Sequence, residues 1–279
     1  MQYISKAILK QIYKKRKKWV HKGQFGKLLV ISGCYRHTGS PIFVGMSANR
    51  AGCDLVYIAS PERSATIAAN YSPCLITEPL KGDMLTSKNI PHIMNFLKIT
   101  RATAVVIGPG LWRENQTRKA IIKLIEKIDL PMVIDADAIR AISKKKYILK
   151  RKKCVLTPHA DEFRELTGIK LSTNLNDRIK KVKKQAKINS VIILKGHIDI
   201  ISDGLRINLN KTGSTLMTKG GCGDTLSGIC GAYLARGVDL FTSACAASYV
   251  NGKAGELAAK QLGESFLPTD LIDNICKVI

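Results

Sequence analysis

Short apolar runs alternate along this chain with longer stretches in which apolar positions recur every three or four residues. The short runs are rich in β-branched residues, as buried strands are. They predict strands over residues 27–32, 55–60, 74–78, 103–108, 131–135, 154–157, 191–195, 198–202 and 206–210. The last two runs flank Asp203-Gly204, a dipeptide typical of tight turns, and so predict a hairpin.

The longer stretches have the period of helices with one buried face. They predict helices over residues 41–52, 62–70, 88–99, 114–128, 224–236 and 240–261, and a further helix from residue 268. Strands that are apolar throughout and alternate with helices are typical of a parallel sheet covered on both faces. The pattern therefore predicts an α/β fold of three layers, with a basic appendage at residues 1–20 and a single domain at residues 21–279.

Length and composition narrow the class of protein. A chain of 279 residues with 45% apolar residues can bury a full core. No apolar stretch reaches the ~20 residues of a membrane span, and the N-terminal segment lacks the apolar block of a secretory signal. The eight cysteines are scattered without a CxxC pair. They predict reduced, buried thiols in a cytoplasmic protein and give no indication of a zinc site.

The formal net charge of +24 is concentrated in three segments: the N-terminal one up to Lys27, residues 144–153 and residues 178–187. Such charge fits either a phosphate-rich partner, whether nucleic acid or nucleotide, or the solvated helix faces of a lysine-rich protein. Aromatic residues, which stack on bases in surfaces that bind single-stranded nucleic acid, are sparse in the two later segments. We therefore favour solvated faces and expect no nucleic acid partner.

Glycines crowd around Asp224 in the segment TKGGCGDTLSG, residues 218–228, directly before an apolar helix. Glycine lets backbone amides approach a ligand, and the start of a helix adds unpaired amides and the positive end of its dipole. The segment therefore predicts an anion site for a transferring phosphoryl group, with Asp224 as a base towards a hydroxyl. The alternative is that Asp224 only caps the helix.

Glycines and polar residues also follow other predicted strands, in the segments GCYRHTGS, GPGLW, DAD, TPHADE and KGHID. Ligands of parallel sheets lie outside the carboxyl ends of the strands, so these segments predict one shared crevice. Each has a local alternative. His159 can cap a helix, Lys195 can extend its ammonium into water, and Asp135 and Asp137 can either cap a helix or bind a metal.

In order and spacing these segments resemble the ADP- or ATP-dependent NAD(P)H-hydrate dehydratases of the ribokinase-like superfamily. The resemblance runs from about His21 to the C-terminus, through HKGQFGKLLVISG, TGSPIFVGMSANRAGCDLV, VIGPGLWRENQTR, VIDADAI, LTPHADEFRELTG, LKGHIDII and NKTGSTLMTKGGCGDTLSGICGAYLARG. It implies a ribokinase-like dehydratase domain over residues 21–279. It also implies a lyase for hydrated NADH or NADPH: ADP or ATP phosphorylates the ring hydroxyl, and phosphate then leaves to restore the dihydronicotinamide.

The resemblance assigns roles to individual residues. Asp224 would deprotonate the hydroxyl, and Mg²⁺ would assist through protein ligands that the sequence does not identify. The transferring phosphoryl group would be held by Gly220, Gly221 and Gly223. The adenine nucleotide would be lined by Lys195, Gly196, His197, Ile198, Asp199 and Gly223. The hydrated dinucleotide would contact Ser40, Gly110, His159 and Asp224.

The chain departs from the usual family pattern at Asp161, where Gly is usual, and at Ser40, Trp112 and Cys222, where Ala, Gly and Thr are. These departures do not affect the expected role of Asp224, but they bear on the residues expected to contact the dinucleotide. Relatives also imply a homotetramer, for which the apolar helix over residues 241–259 could supply an interface. The epimerase domain that many relatives carry is expected as a separate protein or absent.

Two other functions fit parts of the sequence. A kinase of the same fold, acting on a sugar, thiazole or pyrimidine alcohol, would use the same glycine loop but leave a stable phosphorylated product. A nucleic-acid-binding module would use the basic charge, and its binding would be salt-sensitive and survive Asp224→Asn. The segments GPGLW and TPHADE favour the dehydratase over both.

Overall fold

The computed structural model describes residues 2–186 and 190–279 of the chain. Lys187, the end of the third basic segment, lies outside the described residues. The strands are β1 Gln2–Tyr3, β2 Lys27–Ile31, β3 Leu55–Pro61, β4 Ile76–Leu80, β5 Ala104–Ile107, β6 Met132–Ile134, β7 Cys154–Leu156, β8 Ser190–Leu194, β9 Asp199–Ser202 and β10 Ile207–Asn210. The α-helices are α1 Ser40–Arg50, α2 Glu62–Tyr71, α3 Ile90–Thr100, α4 Asn115–Lys127, α5 Asp137–Ile142, α6 Ala160–Thr167, α7 Leu175–Gln185, α8 Cys222–Ala235, α9 Leu240–Leu262 and α10 Pro268–Asn274.

All these strands belong to one sheet, in the order β1-β10-β9-β8-β7-β6-β5-β2-β3-β4. Neighbours are parallel from β8 through β4. The strand β9 is antiparallel to both β8 and β10, which confirms the predicted hairpin. Each strand and helix that the sequence predicted is present, with ends that differ by at most two residues. The mostly parallel α/β fold is therefore confirmed.

The strand β1 was not predicted. It pairs in parallel with β10, and two residues are too few to show any alternation of apolar and polar positions. The chain that follows also packs on the molecule, because Leu9 and Ile12 are buried in the same apolar cluster as the main helices. The division of the chain at residue 20 stays a prediction.

Two apolar layers separate the sheet from its helices, which makes three layers in all. One layer lies under α1, α8, α9 and α10, and the other lies under α3 to α7. Side chains of β2 alternate between the layers: Leu28 and Val30 join the first, whereas Leu29 and Ile31 join the second.

Small residues allow α8 to approach its neighbours closely. A Cβ on Gly228 would lie 2.2 Å from the carbonyl oxygen of Val44 in α1. A Cβ on Gly231 would lie 2.4 Å from Val106 in β5. These two contacts seat α8 between α1 and the middle of the sheet, and so fix where its first turn lies.

Three surface expectations are tested by the fold. The apolar side of α9 is buried within its own chain, so the expectation that residues 241–259 supply a subunit interface is wrong. Cys74 and Cys276 are exposed, which corrects the prediction of buried thiols, whereas the other six cysteines are buried. Over residues 2–186 and 190–279, none of the helices is long and apolar enough to cross a membrane.

Candidate active site

The polar segments predicted to share a crevice follow strands whose carboxyl ends meet at one edge of the sheet. They follow β2, β5, β6, β7 and β8, which run parallel to one another. The first turn of α8 lies among them, since Ser227 of α8 donates to Asp135 after β6 and Asp224 accepts from Ser40. The expectation of one crevice is therefore met by residues from opposite ends of the chain.

Glycine opens the first turn of α8. Gly221 is the N-cap at φ +105°, and a Cβ there would lie 2.8 Å from the Phe43 ring. A Cβ on Gly220 would meet open space. In the described chain, no acceptor takes the amides of Gly220, Gly221 and Gly223. Unpaired amides at the positive end of a helix are suited to bind an anion.

Asp224 lies in this first turn and does not cap it, because no side chain caps α8. The capping alternative is therefore wrong. Asp224 accepts a hydrogen bond from the Ser40 hydroxyl. Burial, reinforced by the Asp135 carboxylate, raises the pKa of Asp224 to about 7 against the opposing effects of Ser40 and Lys195. A carboxyl with a pKa near neutrality can take up a proton at physiological pH, as a general base must.

Lys195 places a positive charge beside the open amides. Its Nζ lies 3.2 Å from Oδ1 of Asp135 and 3.8 Å from Oε2 of Glu162. Burial alone would lower the pKa of Lys195, but the two carboxylates outweigh it and raise that pKa, so the ammonium stays charged. A Cβ on Gly223 would lie 3.4 Å from Nζ. The alternative, an ammonium extended into water, is therefore wrong.

Asp135 and Asp137 follow β6 but do not cap α5, which has no side-chain cap. Asp135 is buried between the Lys195 ammonium and the Ser227 hydroxyl, whose Oγ lies 2.6 Å from Oδ2. Asp137 accepts from the amide of Trp112 at 2.9 Å. Burial raises the pKa of Asp137. Across the described residues, no group of three or more His, Cys, Asp or Glu has the geometry of a metal site.

His159 is the N-cap of α6. Its Nδ1 accepts from the amides of Asp161 and Glu162, and the Glu162 carboxylate accepts from the His159 amide. Although burial would raise the pKa of Glu162, the hydrogen bond from His159 and the charge of Lys195 hold it at about 2. The local alternative for His159 is thus present, and its contact with a dinucleotide stays a prediction.

The loop from Lys195 to Asp199 is closed by its own last residue. Asp199 accepts from the Gly196 amide at 3.0 Å and from the Ser248 hydroxyl at 2.6 Å, so its carboxylate is engaged inside the protein. Gly196 and His197 are exposed at the tip of the loop. Arg178 of α7 reaches the loop, because a Cβ on Gly196 would lie 3.1 Å from its guanidinium.

Ser40 and Gly110 adjoin each other beside Asp224. A Cβ on Gly110 would lie 2.6 Å from Oγ of Ser40, and the φ of Gly110 is +66°. No other residue type fits here without displacing Ser40. The structure thus brings Ser40, Gly110, Asp224, Lys195 and the α8 loop together.

Sequence reasoning missed three side chains of the crevice. Glu162 was signalled by its position three residues after His159, the spacing of a reciprocal cap. Ser227, which holds Asp135, and Arg178, which reaches the loop from Lys195 to Asp199, had no signal, because their partners lie elsewhere in the sequence.

Comparison with known proteins places the chain. A family model described as NAD(P)H-hydrate dehydratase matches residues 28–277. The chain is 40% identical over 261 residues to the bifunctional NAD(P)H-hydrate repair enzyme Nnr of Pyrobaculum aerophilum, with 92% of this chain and 51% of the relative covered. It is 37% identical over 267 residues to the ADP-dependent (S)-NAD(P)H-hydrate dehydratase of Cenarchaeum symbiosum, with 95% and 92% covered.

A solved structure shows the same fold. The ADP/ATP-dependent NAD(P)H-hydrate dehydratase of Bacillus subtilis, co-crystallized with ATP/Mg²⁺, superposes with a TM-score of 0.80 at 23% identity, covering 99% of this chain and 97% of that one. The chain spans about half the length of the bifunctional relatives. The ribokinase-like fold is shared, and the family match extends over nearly the whole sequence. The chain belongs to the NAD(P)H-hydrate dehydratase family.

Proposed function

We propose that the protein is an ADP- or ATP-dependent NAD(P)H-hydrate dehydratase, a lyase that restores NADH or NADPH from its hydrate. One observation carries the proposal: Asp224, with a pKa raised to about 7, lies in the same helical turn as the unpaired amides of α8. A base next to an anion site is what phosphoryl transfer from a nucleotide to a hydroxyl requires.

The proposed reaction has two steps, phosphoryl transfer to the ring hydroxyl and then elimination of phosphate. Asp224 takes the proton of the ring hydroxyl while that oxygen bonds to the terminal phosphorus of the nucleotide, and the bond from phosphorus to the bridging oxygen breaks. AMP leaves if ADP is the donor, and ADP leaves if ATP is. The carbon–oxygen bond of the new phosphate ester then breaks, pushed by the lone pair of the ring nitrogen. Loss of a proton from the neighbouring carbon restores the dihydronicotinamide and leaves inorganic phosphate.

The amides of Gly220, Gly221 and Gly223, with the Lys195 ammonium, hold the charge that grows on the phosphoryl group. The nucleotide lies along the loop from Lys195 to Asp199, where Arg178 adds a second cation. Ser40, Gly110 and His159 face the dinucleotide.

Mg²⁺ would bind together with the nucleotide, coordinated by its phosphates. The buried carboxylates of Asp135 and Glu162 already pair with Lys195, so the crevice fits an ion held mainly by phosphates and water rather than by a protein cage. When bound, Mg²⁺ supplies charge neutralisation on the phosphates. We propose further that the enzyme is cytoplasmic, forms a homotetramer and is served by an NAD(P)H-hydrate epimerase.

A turnover assay tests the proposal. Hydrated NADH is mixed with the protein, Mg²⁺ and either ADP or ATP, and the return of dihydronicotinamide absorbance is followed together with inorganic phosphate. We expect equal amounts of both products with one nucleotide and neither with Asp224→Asn. A folded protein that binds adenine nucleotide but restores no dihydronicotinamide with either donor would instead support the small-molecule kinase.

A further inference from the structure

Trp112 has a backbone conformation that its residue type rarely adopts. Its φ is +72°, in the left-handed region, where a bulky side chain is strained. Its amide donates to Oδ2 of Asp137 at 2.9 Å, which fixes the turn after Gly110. Strained residues persist where the surrounding structure imposes them, and they cluster at ligand sites. The strain at Trp112 therefore suggests that its side chain has a functional role.

The Trp112 indole belongs to a cluster of aromatic and basic side chains. The ring centres of Trp112 and His37 lie 5.1 Å apart. The Arg36 guanidinium lies 5.4 Å from the centre of the indole and 5.1 Å from that of Tyr35. Arg36 is exposed, and among the residues that the structure describes it forms no ion pair with a carboxylate. The cluster thus presents an aromatic face and an uncompensated cation.

This cluster adjoins the residues around the base. A Cβ on Gly110 would lie 2.9 Å from Cβ of His37 and 2.6 Å from Oγ of Ser40, and Ser40 in turn donates to Asp224. A substrate whose hydroxyl reaches Asp224 past Ser40 and Gly110 therefore has His37 and Trp112 as its next neighbours. A dinucleotide is long enough to reach them.

We propose that Trp112 and His37 stack on a ring of the hydrated dinucleotide, and that Arg36 pairs with one of its phosphates. The inference rests on the proposed function and adds residues that set substrate affinity, not catalytic ones. An aromatic face stacks on the flat face of a base, and a guanidinium forms paired hydrogen bonds with phosphate. Both partners occur in one substrate, which accounts for their joint position here.

Trp112→Gly tests the stacking. Glycine adopts a φ of +72° without strain, so the variant is expected to fold. We expect the KM for hydrated NADPH to rise about tenfold, the range of one lost stack, with kcat changed less than about twofold. Arg101→Gly is the matched control, because Arg101 has a φ of +52° at the end of α3, before β5 and away from the crevice. An unchanged KM in Trp112→Gly, or an equal rise in Arg101→Gly, would overturn the proposal.

Arg36→Gln, compared with Arg36→Lys, tests the phosphate contact and identifies the phosphate. If Arg36 binds the pyrophosphate, the KM rises for both hydrated NADH and hydrated NADPH. If it binds the 2′-phosphate, the KM rises for hydrated NADPH alone. Either result supports the proposal, with a smaller rise in the lysine variant. No rise for either substrate would contradict it.

A binding measurement separates this inference from the proposed activity. The chain has two tryptophans, and Trp19 is 96% exposed, so Trp19→Phe leaves Trp112 as the sole tryptophan, which is excited selectively over the tyrosines, at little cost to the fold. NADP⁺ absorbs too little at the wavelength of tryptophan emission to quench it by energy transfer over a distance. It can therefore quench Trp112 only by contact. We expect saturable quenching by NADP⁺ that Arg36→Gln weakens. Quenching without any turnover would refute the proposed function alone, and turnover without quenching would refute the stacking.

Discussion

The helices α6 and α8 both begin at the crevice, but their first turns are built in opposite ways. At α6, the amides of Asp161 and Glu162 are taken by the His159 ring, and Glu162 returns a hydrogen bond to His159. At α8, Gly221 is the N-cap and no side chain satisfies the amides. A helix start that has its own cap contributes mainly to stability, whereas one left open can hold a ligand's charge.

The carboxylates in the two first turns also differ, in their pKa values. Glu162 has a pKa held at about 2, because His159 and Lys195 outweigh the effect of burial. The pKa of Asp224 is raised to about 7, because burial and the Asp135 carboxylate outweigh its hydrogen bond from Ser40 and the charge of Lys195. One carboxylate is fixed in its charged form at neutral pH, and the other can exchange a proton. The difference lies in the surroundings, since both follow a helix start by three residues.

The largest effect is expected from Asp224→Asn. Loss of the base should lower kcat by about 10³-fold, with the nucleotide still bound. Asp137→Asn is the matched control, because it removes a partly buried carboxylate of the same crevice whose pKa is also raised. The side-chain oxygen of asparagine can still accept from the Trp112 amide, so Asp137→Asn should change both kcat and KM little. Equal losses of kcat in the two variants would mean that Asp224 contributes only its negative charge to the crevice and does not accept the proton.

Gly221→Ala should close the open turn. Alanine is strained at φ +105°, and its Cβ would lie 2.8 Å from Phe43, so we expect a loss of about 2–3 kcal/mol in the free energy of unfolding. The activity should fall with it as the loop shifts. Gly220→Ala is the control, because its Cβ would meet open space. Urea unfolding of both variants measures the difference, and a stable Gly221→Ala protein would show that the turn can adapt.

The pH dependence of stability should have opposite signs at the two turns. The folded pKa of Asp224, about 7, lies above the ordinary aspartate value of 3.8, so its contribution to stability is fully present below about pH 4 and is lost as the pH rises to 7. Glu162, lowered from 4.5 to about 2, contributes stability above pH 4.5 that is lost as the pH falls through 2. Asp224→Asn should therefore gain roughly 2 kcal/mol relative to the unmodified protein between pH 5 and pH 8.

Thermal unfolding of Asp224→Asn and Glu162→Gln at pH 5 and pH 8 measures these signs. Glu162→Gln should be destabilised about equally at pH 5 and pH 8, since both lie above the range from 4.5 to 2 in which Glu162 takes up its proton. The activity should rise with pH through about 7, as Asp224 loses its proton. A pH-independent gap between Asp224→Asn and the unmodified protein would contradict the raised pKa.

The sequence predicted the fold well because apolar runs and helical periods are local signals. Every predicted strand was found, and β1 was missed because two residues show no period. The crevice was predictable only in part. That α8 is open and α6 is capped depends on Gly221 and on the reach of the His159 ring, and short-range sequence left both alternatives possible. Contacts such as Ser227 with Asp135 join residues 92 positions apart, for which one sequence carries no pattern.

The smallest effect is expected from His159, and it separates cap from ligand contact. His159→Ala removes the acceptor for two amides of α6 and should cost about 1 kcal/mol in the free energy of unfolding. His159→Asn should restore that stability, because asparagine is among the preferred N-cap residues. If the imidazole also contacts the dinucleotide, the asparagine variant regains stability while its KM stays raised. If both properties recover, His159 serves only as a cap, and of the two helix starts only α8 takes part in binding.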